Sequence, residues 1–279
     1  MVAARARTAT GVAARQLIAD RFTLRFDHQR FSHSVSAQRS KGVRRVGLIG
    51  DVHAEHRRLE SALEFLHGAN VDAIWCTGDL ADGAGDLDAC CELLAGANAT
   101  VVAGNHDRWL LSNRMRAVPQ AHALDAVRAA SRDYLETLAQ TRTLETVAGS
   151  VLLCHGVAGN DLRKVWPGSA RMPIERSCEL DALIEANRVR YLVNGHLHYR
   201  IIVNFDGLTL LNAGTLRGDH RPGVSIVDFA SAEVSAFEFG ECGLQRVAER
   251  AMGPVEGRRV WRDTQEFDGH WTPVTLYAA

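Results

Sequence analysis

Five short blocks in this chain carry side chains able to hold metal ions: Gly50-Asp51-Val52-His53, Gly78-Asp79, Gly104-Asn105-His106-Asp107, His155-Gly156 and Gly195-His196-Leu197-His198. Imidazole and carboxylate donors together favour borderline divalent ions such as Mn, Zn, Fe or Ni. In extended backbone, alternate side chains share a side. The spacing therefore predicts that Asp51 pairs with His53 and His196 with His198, each pair gripping one ion. Two ions about 3.5–4 Å apart need a shared ligand, and a carboxylate with two oxygens suits that task. Asp79, alone in its block, is the natural bridge. The chemistry these residues point to is hydrolysis at a two-metal centre.

Each block taken singly has an ordinary reading. An Asp or Asn after a strand commonly caps a helix or makes a turn. A lone His on an apolar strand is commonly a hydrogen-bonded core residue. Turn chemistry does not demand histidine five times, however, and the set as a whole carries the metal reading. His56, His67, His122 and His220 match no block and are expected to be surface or capping residues, as are His28, His33 and His270.

Positioning falls to the flanks. Val43 to Ile49, Ala73 to Thr77, Thr100 to Ala103, Val151 to Cys154 and Arg190 to Val193 are short apolar, β-branched stretches, each stopping at or just before its polar block. The ligands would then sit at strand carboxyl ends, the edge where layered α/β folds bind ligands. The block glycines would let the backbone turn sharply and come close to bound ions. Helical spacing at 59, 62, 63 and 66, repeated over Leu87 to Leu94, alternates with the strands and predicts βαβ architecture. A mostly helical insert is expected between Arg108 and Thr143. An irregular stretch, Val157 to Pro173, could line the cleft with Asn160, Asp161, Arg163, Lys164 and Trp166. After His198, alternating segments at 201–205, 208–212, 224–229 and 234–239 read as hairpins that complete a second sheet.

In order and content the blocks resemble the calcineurin-like metallophosphoesterases, whose pattern is Asp-x-His, Gly-Asp, Gly-Asn-His-(Asp/Glu), His and Gly-His-x-His. The resemblance runs from about Arg45 to Phe239, and Leu48 to Asp107 is similar to the small bacterial phosphodiesterase branch. It implies an α/β fold, a four-layer α/β/β/α sandwich of two mixed sheets flanked by helices, whose insert caps the metal cleft. It implies Asp51, His53, Asp79 and His198 on one divalent ion and Asp79, Asn105, His155 and His196 on the other, with Mn the first choice and Fe, Zn, Ni or Mg as alternatives. His106 would face the substrate, with Asp107 orienting and charging its ring. A hydroxide between the ions would attack phosphorus in line, with no phosphoenzyme.

Two departures narrow the substrate. Gly78-Asp79-Leu80-Ala81-Asp82-Gly83-Ala84 lacks the arginine that phosphoprotein phosphatases carry just after the second acidic residue, and the third block ends in Asp107 rather than glutamate. Both argue against a Ser/Thr protein phosphatase and toward a small phosphodiester substrate. The alternatives are a dinucleoside polyphosphate hydrolase or a protein phosphatase, a nuclease-like enzyme, and a non-catalytic scaffold of the same fold. The scaffold has lost the key histidine that is retained here as His106.

A chain of 279 residues with 46% hydrophobic content can bury one large domain, expected over 43–240 with its insert at about 108–143. No stretch approaches the length of about 18 apolar residues that a spanning helix needs, so no membrane association is expected. The six cysteines show no paired metal spacing and are expected as reduced, largely buried thiols in the cytoplasm. The net charge of −1 conceals a basic arm: residues 1–45 hold ten Lys or Arg against Asp20 and Asp27, a balance of +8, leaving −9 elsewhere. With few aromatics for base stacking, only Phe22, Phe26 and Phe31, the arm does not favour nucleic acid as the partner. Residues 1–42 are expected to be a flexible extension and 241–279 a C-terminal extension without an assigned role.

Overall fold

The computed structural model describes residues 42–278, and the basic arm lies outside them. In chain order the strands are β1 (Arg45–Ile49), β2 (Ala73–Cys76), β3 (Thr100–Val101), β4 (Thr141–Thr146), β5 (Gly149–Cys154), β6 (Tyr191–Asn194), β7 (Arg200–Phe205), β8 (Thr209–Ala213), β9 (Gly223–Asp228), β10 (Glu233–Gly240), β11 (Gly243–Ala251), β12 (Val260–Trp261) and β13 (Val274–Thr275). The helices are α1 (His56–Gly68), α2 (Leu87–Gly96), α3 (Asn105–Leu111), α4 (Ala129–Glu136) and α5 (Cys178–Ala186).

They assemble as two mixed sheets. The first runs β11-β10-β9-β1-β2-β3, with β1, β2 and β3 parallel and β9 antiparallel to β1; the second runs β12-β7-β8-β6-β5-β4, with β13 also on β7. Val46, Leu48 and Trp75 of the first sheet meet Val151, Leu153, Val193 and Leu211 of the second in a shared apolar layer. On the outer face of the first sheet, Leu59, Ala62, Leu63 and Leu66 of α1 and Leu87, Cys90, Cys91 and Leu94 of α2 cover Ile49, Ile74 and Cys76. These are the helical faces that the apolar spacing predicts. On the outer face of the second sheet, Leu180 of α5 packs with Trp166, Trp261, Phe267 and Trp271. The result is the four-layer sandwich. Burial of central strands on both faces explains why β1, β2, β5 and β6 read as apolar runs rather than alternating ones.

The fold departs from the sequence expectations in three places. Only β7 and β8, of the alternating segments after His198, join the second sheet. β9 and β10 return to the first beside β1, with Ile49 opposite Val224. Alternation fixes which face is buried but not which free edge a strand will extend. The helical part of the insert also lies elsewhere: α4 puts Leu135 into the outer core with α1 and α2 rather than roofing a cleft. Residues 241–278 supply β11 to the first sheet and β12 and β13 to the second, with Trp261 and Trp271 at most 6% exposed.

Candidate metal centre

The five blocks converge at the carboxyl ends of β1, β2, β3, β5 and β6, where each strand stops one to four residues before its candidate ligand. They do not continue as extended chain. His53, Asp79, His196 and His198 all adopt left-handed backbone, with φ of 46°, 47°, 67° and 60°. His and Asp tolerate this region better than most residues, yet each such residue still costs on the order of 1 kcal/mol. The expectation that alternation pairs His196 with His198 is therefore corrected. A turn between them sends His198 toward Asp51 and His53, and His196 toward Asp79 and His155.

Within each of these two groups of three, the ligand atoms lie within 4.8 Å of one another. His53 Nε2 is 3.0 Å from His198 Nε2, which is 3.2 Å from Asp51 Oδ2. His155 Nε2 is 3.2 Å from Asp79 Oδ2 and 3.0 Å from Asn105 Oδ1. Asp79 Oδ2 is also 3.8 Å from His53 Nε2, so one carboxylate oxygen stands between the two groups.

The surrounding hydrogen bonds set each donor's direction. His53 Nδ1 donates to Asp82 O at 2.9 Å and His155 Nδ1 to Thr77 O at 2.8 Å. A carbonyl only accepts, so these bonds place a proton on Nδ1 of each ring and make Nε2 the nitrogen that faces the centre, as metal-binding imidazoles require. Asp51 accepts from Thr77 Oγ1 and from the His196 N–H, and Asp79 Oδ1 accepts from the His106 N–H. Two glycines make room for these carboxylates. A Cβ on Gly195 would collide with Asp51 Oδ1, and one on Gly104 with Asp79 Oδ1. Neither glycine has positive φ; what these positions need is close approach rather than a sharp turn.

Asp51 and Asp79 are buried, which alone would raise their pKa values, but the facing imidazoles, His155 foremost, hold both below the usual carboxylate range. Burial lowers His53 and His196 to about 4, so both rings are neutral at pH 7. His155 is buried too, yet Asp79 and Asp51 push it up to about 10. Ligation there must expel a proton. Two buried carboxylates ringed by inward-aimed nitrogen donors make a donor set that fits a pair of divalent cations.

His106 lies beside the centre, its ring 5.0 Å from that of His53. The carboxylate on it is Asp82, not Asp107: His106 Nδ1 is 2.7 Å from Asp82 Oδ2. Asp82 in turn takes both terminal nitrogens of Arg116 at 2.8 and 2.9 Å and the His122 N–H at 3.0 Å. Burial works against a charged His106, and the Asp82 bond outweighs it, so the pKa rises. Asp107 faces the other way. It accepts from the N–H groups of Leu80, Ala81 and Gly104 at 2.8–3.0 Å, capping α3, and burial beside Asp79 pushes its pKa up to about 7. Neighbours on a helix do not face one another, which is why adjacency to His106 misleads. Asp82 lies three residues after Asp79, and its left-handed backbone, φ 65°, turns it back toward α3.

His56 caps as expected, accepting from the Asp86 N–H. His122, expected as a surface or capping residue, accepts from the Asp82 N–H, and His220 stands 5.0 Å from the His198 ring. Of the stretch expected to line the cleft, Asp161 bonds Arg108, Asn160 and Arg163 bond Glu179, and Trp166 is buried in the outer core. Lys164 is exposed, and its charge helps to depress His196.

A hypothetical protein from Pyrococcus horikoshii OT3 superposes with a TM-score of 0.54 at 14% identity, covering 70% of this chain and 87% of that one. A metallophosphoesterase from Sphaerobacter thermophilus gives 0.48 at 23%, covering 75% and 89%. A phosphoesterase from E. coli gives 0.47 at 14%, covering 75% and 99%. No curated protein matches the sequence significantly. The family profile for the calcineurin-like phosphoesterase superfamily domain matches residues 45–234, which takes in all five blocks and the strands that bring them together. With that span matched and the sandwich in place, the chain belongs to the calcineurin-like phosphoesterase superfamily.

Proposed function

We propose that this protein is a di-metal-dependent phosphodiesterase. Asp51, His53, Asp79 and His198 would hold one divalent ion and Asp79, Asn105, His155 and His196 the other, with Mn the first candidate. Such ions, when bound, supply Lewis acidity to a phosphoryl group and acidify a water. The observation that carries the reading is the position of Asp79 Oδ2 between the two donor groups, with the Asp82-held His106 alongside.

The chain's own residues perform the rest. Asp82 accepts the Nδ1 proton of His106, which fixes the ring and leaves Nε2 to carry a second proton outward. That proton is positioned for a departing alkoxide, the group a diester most needs stabilised. A diester also carries one negative charge where a monoester carries two, and so depends less on an arginine clamp. Arg116 is engaged with Asp82 and Arg108 with Asp161, consistent with that lighter demand. His106 being present also favours an enzyme over a scaffold.

The test is kinetic. With Mn added, kcat/KM for bis(p-nitrophenyl) phosphate should exceed that for p-nitrophenyl phosphate. Equal or faster monoester hydrolysis would remove the diesterase reading and leave the two-ion site standing.

A further inference from the structure

The chain has five tryptophans. Trp75, Trp166, Trp261 and Trp271 are 1–6% exposed and belong to the sandwich cores. Trp109 does not: it is half-buried and packs with none of the three apolar cores of the described residues. Its contact is His106, whose ring centroid lies 4.8 Å away at an interplanar angle of 60°. The helix explains the pairing. His106 and Trp109 are three apart on α3, so their side chains lie one above the other on the same side of the helix, between the buried Asn105 and Leu110. Arg108 makes a two-point bond to Asp161 at 2.6 and 2.8 Å, tying α3 to the loop after β5. A half-buried indole outside the cores, on a tethered helix and against His106, offers a flat apolar face to whatever binds beside that histidine.

We propose that Trp109 is the stacking platform of an aromatic subsite on the leaving-group side, so that the substrate class is phosphodiesters of aryl or heteroaryl-bearing alcohols, nucleosides included. The inference rests on the phosphodiesterase reading and deepens it. A leaving oxygen protonated by His106 must lie within about 3 Å of Nε2. The atoms attached to that oxygen therefore pass beside the Trp109 ring, and a planar group there gains stacking where an alkyl group does not.

Phenylphosphonate and ethylphosphonate separate the two ideas, because neither can be hydrolysed at its C–P bond and they differ in the ring alone. Titrated calorimetrically into the Mn-loaded protein, phenylphosphonate should bind roughly tenfold or more tightly, the scale of one stacking contact. Trp109→Ala should collapse that ratio toward one, and Trp109→Phe should restore most of it. Saturable quenching of the wild-type tryptophan emission by phenylphosphonate should be absent in Trp109→Phe. Equal affinity of the two phosphonates in a wild-type protein that hydrolyses diesters would overturn the subsite alone. Binding of neither phosphonate, without diester turnover, would overturn both readings. A ratio unchanged in Trp109→Ala would place the ring's contact elsewhere and also sink the proposal.

Discussion

Asp82 holds three groups from different parts of the chain, His106, Arg116 and His122, and its consequences are separable from those of Asp107. A raised His106 pKa keeps the acid protonated to higher pH, so Asp82→Asn should lower that pKa and move the alkaline limb of kcat to lower pH. An unmoved limb would take His106 out of the acid's role. His106→Ala should keep its metal and lose on the order of 100-fold in turnover, the scale of a positioned acid–base group. Asp107→Ala, which removes only a minor charge contribution to His106, should move the limb less than Asp82→Asn and cost stability instead. It strands three buried N–H groups, each worth about 1–3 kcal/mol, so urea unfolding should register a loss of at least about 3 kcal/mol. Asp82 also makes a pH-dependent contribution of its own. Burial opposes its charge, but the bonds from His106 and Arg116 outweigh this and depress its carboxyl to about 2. The unfolded value is about 3.9. That stability is complete above roughly pH 4 and lost as pH falls toward 2.

The elements that carry the site were legible in the sequence because their signals are local. Strands buried on both faces show as apolar runs, and each run ends at a polar block. What was not legible is how the chain turns after the strands. Left-handed backbone at His53, Asp79, Asp82, His196 and His198 sorts the ligands between the two groups, and no residue-type pattern announces it. The same holds for β9, whose alternation fits either sheet edge. Two glycines test whether the blocks work by close approach: Gly195→Ala should push Asp51 aside and Gly104→Ala should push Asp79 aside, each lowering metal content in a folded protein. Circular dichroism would confirm the fold, and full metal loading in either variant would contradict the packing argument.

At the scale of the molecule, the C-terminal segment is structural. It completes both sheets, and the Tyr277 hydroxyl accepts the Arg200 N–H at 2.8 Å while reaching the His198 carbonyl. Ending the chain at Gly253 removes Trp261 and Trp271 from the outer core and should leave the protein unstable. Losing one buried aromatic side chain costs about 3–5 kcal/mol, against a total stability of about 5–15 kcal/mol. A chain starting near Gly42 should instead keep its fold and the proposed activity on a small diester, with salt dependence little altered. Thermal unfolding of the two truncations decides between the ends.

In the proposed centre one carboxylate, Asp79, serves two ions. Elemental analysis of purified protein reconstituted with Mn and freed of excess ion tests it most directly. Wild type should retain two equivalents, His53→Ala should lose chiefly one, and Asp79→Asn should be depleted at both sites and inactive. Two equivalents retained in Asp79→Asn would contradict the shared bridge.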